Sequence, residues 1–393
     1  MKISGKKIIA IAFVLIIMLT GMLTVICNPV KIGGGLVRGF INSSEDASVF
    51  EKIGNSFSTF DTRMNEFFIA HDVSVNAYGS IQKILGRTLI NDVDKSSMVL
   101  KLNNGYLTFK KDHNSDLSGL ADYLVKLKEH SDDAGSELFY INYIYKNTTD
   151  ENLLPEFYPY IYDSNFNEIK GTLTSNDIQF FDVNSYVAEN NIDKYPLFFK
   201  TDHHWTPNTG LWVSELICEQ INGMYGWELP VQLLDSDNFN FETYSNSFLG
   251  SQGKRIGKYY AGVDDIDVIT PQYQTSMTVE YQDISETKTG SFIETMLYYE
   301  CITPDNLLNK DATAYDVYMR GNHDLVKITN HNINEKKALV VMDSFGIVVV
   351  PFLSLVFNQV DCIDIRAYSD SVIDYISETQ PDIVIYMISG YQQ

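Results

Sequence analysis

Cysteine and positive charge are both scarce in this chain. Its 4 cysteines, at positions 27, 218, 301 and 362, are spread over 393 residues with no paired spacing. That excludes a small disulfide-stapled scaffold, and no Cys/His spacing suited to zinc is present. The thiols read as isolated and buried, although spacing alone leaves a Cys218–Cys362 or Cys301–Cys362 bridge open. Lys and Arg number 29 against 51 Asp and Glu, for a formal net charge of −22. With no basic stripe, nucleic acid is excluded as a partner. A strongly anionic polymer would also be repelled unless a local basic patch overrides the average. The sequence has no internal repeat and no low-complexity tract.

What is present fits a globular protein. Hydrophobic residues make up 45% and charged residues 20%, a balance that excludes disorder for the bulk of the chain. The length has room for two or three domains. Tyr (25) and Phe (22) are abundant; they suit a core with hydroxyls at its edge, or a sugar-facing cleft. One run stands apart, because Ile8 to Cys27 is nearly all apolar. About 20 such residues span a bilayer as a helix. Lys2, Lys6 and Lys7 precede the run and favour a cytoplasmic N-terminus. We expect a single-pass membrane helix, with the chain after about residue 30 extracellular. A cleaved signal peptide is the alternative; against it, the run is long and no small-x-small pattern closes it. Lipidation at Cys27 is disfavoured because Ile26 stands where a small residue is needed.

Residues 1–30 are thus expected to form a cytoplasmic stub and transmembrane anchor. Gly33-Gly34-Gly35 and Asn42-Ser43-Ser44 mark 31–44 as a loose linker. The spacing of Phe57, Phe60, Met64, Phe67 and Phe68 predicts an amphipathic helix within 45–70. Gly105 to Phe109 reads as a short strand. Leu117, Leu120, Leu124 and Leu127 define one face of a helix over 117–129, and a strand follows over 137–145. A helix is expected over 182–190. The apolar run Tyr195 to Phe199 reads as a strand leading into Thr201-Asp202-His203-His204-Trp205-Thr206-Pro207. Thr206 and Pro207 then make a strong start for a helix over 208–222. Residues 223–335 break this rhythm, with Gly250, Gly253, Gly257 and Gly262 and alternating segments such as Met277 to Tyr281. We expect an inserted, β-rich or irregular region packed over or beside the sheet, placed to shape a substrate cleft. Over 336–393, apolar strands at 338–342, 360–365 and 382–388 alternate with helices, one from Pro351 and one over 370–378. That tail implies an α/β fold, a parallel sheet with helices on both faces. The α/β domain is therefore split into 45–222 and 336–393 around the insert.

A serine hydroxyl becomes a nucleophile when a base takes its proton. An imidazole does this, and a carboxylate holds the imidazole in the right tautomer. Asp202 and His204 lie at one strand end and Ser344, in Met342-Asp343-Ser344-Phe345, at another. Parallel sheets align such ends along one edge. On an extended strand end Asp202 and His204 share a face while His203 points away. We assign Ser344 as nucleophile, His204 as base and Asp202 as orienter, with amides at a helix start near Ser344 to hold an oxyanion. His203 is structural or touches substrate. Trp205 is core or a substrate contact. Asp-His-His can also ligate a metal, but adjacent histidines on a strand face opposite ways, so no metal and no cofactor is assigned.

Together these stretches resemble the DHHW family, which is similar to the alginate O-acetyltransferase proteins of the SGNH-hydrolase-like superfamily. The resemblance rests on Thr201 to Pro207, Phe248-Leu-Gly-Ser, Lys254 to Ile266, Gly321-Asn322, Met342 to Phe345, Pro351-Phe-Leu and Ile363-Asp-Ile-Arg, spread over roughly 45–390. It implies an SGNH-hydrolase-like fold with circularly permuted motif order, the Asp-x-His pair ahead of the serine. It implies O-acetyl transfer to a cell-surface polysaccharide, with acetyl supplied by a membrane-embedded acyltransferase partner. Ser344, His204 and Asp202 take the triad roles. Two blocks depart from the pattern. Met-Asp-Ser-Phe stands where Gly-Asp-Ser is commoner, and Gly321-Asn322 lacks the spacer of a Gly-x-Asn block that would make Asn322 an oxyanion donor. Arg366 can bind a substrate carboxylate or acetyl oxygen, or pair with an acid. Lys254 and Arg255 form a basic patch for polymer or a solvated surface. Two alternatives stay open: an acetylesterase with the same triad, in which water attacks the acyl-serine, and a non-catalytic glycan-binding or scaffold subunit.

Overall fold

The computed structural model describes residues 5–42, 48–66, 68, 70–90, 98–109, 117–146, 152–156, 166–309 and 313–388. Phe67, counted above on an amphipathic helix, lies outside them. The chain divides into two units, Met1–Lys83 and Ile84–Gln393.

The first unit is helical, with helices Gly5–Cys27, Pro29–Ile41 and Val49–Glu66 followed by His71–Ile84. The segment expected as a loose linker is therefore a helix over Pro29–Ile41. Pro29 suits its first turn. Gly35 and Gly39, one turn apart, are buried; Gly39 meets the backbone of Val49–Glu66 at close range, and Gly35 meets the Arg63 side chain. That approach offsets a helix penalty of about 1 kcal/mol per glycine. Among the described residues no single helix is long and apolar enough to cross a membrane; Met18–Cys27 and Pro29–Ile41, bent by 88°, meet that test only as a pair.

The second unit opens with a small antiparallel sheet of β1 (Leu89–Ile90), β2 (Val99–Lys101) and β3 (Leu107–Phe109). The other strands are β4 (Glu137–Asn142), β5 (Gln179–Asp182), β6 (Phe239–Phe248), β7 (Asp264–Pro271), β8 (Met277–Tyr281), β9 (Glu286–Gly290), β10 (Leu325–Asn330), β11 (Lys337–Met342), β12 (Gln359–Asp364) and β13 (Ile383–Met387). Eight of these form one sheet in the order β5-β4-β13-β11-β12-β10-β8-β9. From β5 to β12 the neighbours are parallel, and from β12 to β9 they are antiparallel. The sheet is mixed, where a parallel one was expected. The reason lies in the insert: it contributes β8, β9 and β10 as an antiparallel edge instead of lying wholly over or beside the sheet. Strands β6 and β7 form a separate antiparallel pair.

Side-chain alternation along the central strands builds a core on each face. Ala338, Val340 and Met342 of β11 join Phe139, Ile141, Ile383, Ile385 and the helix Pro207–Tyr225 on one side. Leu339 and Val341 join Leu138, Tyr140, Val384 and Tyr386 on the other, under the helices Ser118–Asp133, Phe166–Ser175 and Val372–Thr379. Each fully buried Val, Leu or Ile contributes roughly 1.5–3 kcal/mol. The expected face of Leu120, Leu124 and Leu127 is buried in this second layer. All four cysteines are free.

Two local elements differ from expectation and matter for the site. The run 195–199 is not a strand: Pro196 lacks an amide donor, and Tyr195–Leu197 forms a 3₁₀ turn. Phe198 then pairs with Trp205 in an isolated antiparallel bridge. After β11, Ser344–Val348 is a 3₁₀ segment followed by a single helical turn, Val350–Leu353. The β-branched Val348-Val349-Val350 run disfavours a longer helix there.

Candidate active site

Ser344 leaves the C-terminal end of β11, in the parallel part of the sheet. Asp343 caps the 3₁₀ segment by accepting from the Phe345 amide at 3.0 Å. Gly346 packs so closely on Met342 that any Cβ would overlap its side chain. The turn is thus tight enough to present the serine hydroxyl at the sheet edge.

Asp202, His203 and His204 occupy the tip of a tight loop closed by the Phe198–Trp205 bridge. The Phe199 amide donates to His204 O at 3.3 Å, and the Thr206 amide to Leu197 O at 3.0 Å. Thr206 then caps the helix Pro207–Tyr225 by accepting from the Thr209 amide.

The loop and the turn meet. Ser344 Oγ lies 2.7 Å from His204 Nε2, and His204 Nδ1 lies 2.5 Å from Asp202 Oδ1. An ionised carboxylate only accepts, so Nδ1 carries the proton and Nε2 is free to accept from the serine. Burial pulls the Asp202 carboxyl upward, but His204, then His203, the His204 hydrogen bond and the Ser251 amide outweigh it. The net effect holds Asp202 well below the usual carboxylate range. The His204 amide adds a bond to Oδ1 at 2.9 Å, and the Ser251 amide donates to Oδ2.

Several residues that frame this chain were not among the sequence candidates. Gly250 abuts Asp202 so tightly that a Cβ would overlap the carboxylate, and its amide donates to Thr201 Oγ1 at 2.9 Å. Buried Asp264 accepts from the Lys200 amide at 3.0 Å and from the Thr201 amide at 2.8 Å, with Thr201 Oγ1 at 2.6 Å. Burial is the largest influence on the Asp264 carboxyl and raises it, against the Thr201 and Lys200 hydrogen bonds. Tyr315 stacks on the His204 ring at 4.6 Å between centroids, and its hydroxyl donates to Ser344 O at 3.1 Å. The Phe248-Leu-Gly-Ser block carried a signal for Gly250 and Ser251. The Lys254 to Ile266 block likewise contained Asp264 without assigning it a role, and Tyr315 had no signal in the sequence.

The remaining candidates fall as follows. His203 does not point away: its ring lies 3.9 Å from that of His204, and Nδ1 is 3.0 Å from Ser251 Oγ and 3.4 Å from Asp202 Oδ1. The alternation argument required an extended strand, and the chain here is a bent loop. Trp205 is fully buried against Tyr143 and Phe345, which makes it core rather than a substrate contact. Arg366 grips Asp364 with Nε at 2.8 Å and Nη2 at 2.6 Å, and Nη2 also donates to Asn322 Oδ1 at 2.8 Å. Its fork is filled by this chain's own acid, and neither Arg366 nor Asn322 hydrogen-bonds to the three-residue relay among the described residues. Lys254 is half-buried and donates to Asn309 O, while Arg255 lies over the Phe109 ring at 5.0 Å. Asp202, His203 and His204 offer metal-ligand atoms within 4.8 Å of one another. Asp202 Oδ1 and both His204 ring nitrogens are engaged in the relay, and His203 Nδ1 lies beside Ser251 Oγ.

The site is a serine–histidine–aspartate relay at the carboxyl edge of a mixed α/β sheet, and part of the chain is similar to SGNH-hydrolase-like domains. Residues 106–245 match the family described as SGNH hydrolase-like domain, acetyltransferase AlgX. This span contains Asp202 and His204 and stops well short of Ser344. Bacillus cereus PatB1 is similar in fold: one structure, carrying a sulfonyl adduct, has 17% identity, covers 75% of this chain and 94% of that one, and gives a TM-score of 0.59. A second PatB1 structure has 18% identity, covers 74% and 95%, and gives 0.60. A DHHW family protein from Eubacterium siraeum has 19% identity, covers 78% and 94%, and gives 0.56. No curated protein matches the sequence.

Proposed function

We propose that this chain is a membrane-anchored O-acetyltransferase of a cell-surface polysaccharide, with its catalytic unit outside the cell. The observation that carries the reading is the continuous hydrogen-bond chain from Asp202 through His204 to Ser344. The acetyltransferase family match and the resemblance through Thr201 to Pro207 support transfer over other acyl chemistry. The apolar run and its preceding lysines support the anchor, and the acetyl is supplied by a membrane-embedded acyltransferase partner.

In the first half-reaction His204 Nε2 takes the Ser344 proton as Oγ attacks the acetyl carbonyl. The tetrahedral intermediate collapses, and the imidazolium returns the proton to the leaving group. The product is an acetyl-serine. In the second half-reaction His204 deprotonates a sugar hydroxyl, which attacks that ester and takes the acetyl group, and Ser344 regains its proton. Asp202 stays ionised throughout and holds the imidazole in one tautomer.

The test uses the full-length chain with an activated acetyl ester and an unacetylated glycan. Acetylated glycan in the wild type, and none with Ser344→Ala, is the expected result. Free acetate without acceptor acetylation would reassign the chain as an esterase. PatB1 has been solved with a sulfonyl adduct, so a sulfonyl fluoride is the matching probe of Ser344.

A further inference from the structure

Lys146 lies just beyond β4, and only 3% of it is exposed. Its ammonium donates to three backbone carbonyls of the Asp202 loop: Phe199 O at 2.5 Å, Lys200 O at 3.1 Å and Asp202 O at 2.5 Å. An ammonium has three donors, so this set is filled. Among the described residues no carboxylate lies within ion-pair distance. Asp202 and Asp264 are the charges that favour its cation, and the Tyr106 ring is 5.3 Å away. Burial nevertheless pushes the ammonium down to about 7.

A buried cation without a direct counter-ion is costly. An apolar side chain of similar volume would fill the same space without that cost. What it would not do is draw three nearby carbonyls onto one point. A backbone whose carbonyls converge on a single nitrogen must bend, and this bend is where the chain departs from a strand. It turns both Asp202 and His204 toward Ser344. Asp264 holds the amides of Lys200 and Thr201, while Lys146 holds carbonyls of the same loop.

We propose that Lys146 is a positioning residue for the acyl-transfer relay, fixing the backbone of 199–202 so that Asp202 and His204 keep the geometry Ser344 requires. This rests on the triad reading above. The experiment compares full-length wild type, Lys146→Met and Lys146→Arg, with 4-nitrophenyl acetate as acetyl donor. Turnover is normalised to the folded fraction from thermal unfolding, and amide hydrogen exchange is followed over 201–206. Lys146→Met is expected to lower kcat about 100-fold, the scale of a misplacement of order 1 Å. Its KM stays within about twofold, and exchange in the loop accelerates. Lys146→Arg keeps a cationic donor and recovers part of kcat. Wild-type kcat per folded molecule and unchanged exchange in Lys146→Met overturn the proposal. Ser344→Ala is run in parallel: if it retains turnover, the triad reading fails, while the loop exchange rates still decide whether Lys146 holds the loop.

Discussion

Ser344 and its base are held in different ways. The serine turn is supported mainly from close by: β11 pairs on both sides, Asp343 caps the next amide, and Gly346 folds back on Met342, with Tyr315 adding one bond from the insert. The loop carrying Asp202 and His204 has one isolated bridge of its own. It is held from outside by Lys146, Gly250, Ser251 and Asp264, drawn from positions up to 64 residues away. A nucleophile at a strand end is fixed by the regularity of the sheet. An imidazole and carboxylate at a loop tip need donors and acceptors brought from elsewhere, so this half of the site is the more vulnerable to distant substitution.

The sharpest break in that comparison is Asp202→Asn. An amide facing His204 Nδ1 donates where the carboxylate accepted, which moves the imidazole proton to Nε2 and removes the acceptor for Ser344. Turnover should fall by about 10⁴, the scale seen when a serine triad loses its orienting carboxylate, with sulfonyl fluoride labelling of Ser344 slowed in parallel. Next comes Gly250→Ala, which pushes a methyl group into Asp202. A destabilisation of about 1–3 kcal/mol is expected from overpacking, measured by denaturant unfolding, together with a lower kcat. A Gly346→Ala enzyme that loses stability but keeps kcat per folded molecule would sharpen the contrast between the two halves.

The smallest effect is in pH dependence. The folded Asp202 carboxyl is held below its unfolded value, so its stabilisation is complete above the ordinary carboxylate range. It is lost as pH falls through the folded value. The gap in melting temperature between wild type and Asp202→Asn should therefore shrink on acidification below about pH 4. A gap that is flat with pH would detach Asp202 from the charge role.

Much of the architecture was legible because it obeys local rules. The β11–β13 tail showed apolar strands and amphipathic helices at regular spacing, and Thr206-Pro207 announced the helix Pro207–Tyr225. The pairing of Asp202, His204 and Ser344 was foreseen, but the strand alternation invoked for it does not exist. The loop bends, so His203 lies beside His204. That bend depends on Lys146 and Asp264, whose partners are mostly backbone atoms far along the chain, and backbone partners leave no pattern in a sequence. The antiparallel edge was equally hidden, since β8 to β10 alternate as strands do in any sheet.

The position of β13 has a consequence for assembly. It is the last strand in the described chain, yet it lies between β4 and β11 near the middle of the sheet, and the Tyr143 hydroxyl reaches across to Met387 O. A chain emerging N-terminus first exposes the Asp202 loop early and must keep β4 and β11 apart until β13 arrives. Contacts so distant in sequence form late and slowly. The centre of the sheet therefore closes only once the segment that forms β13 is available.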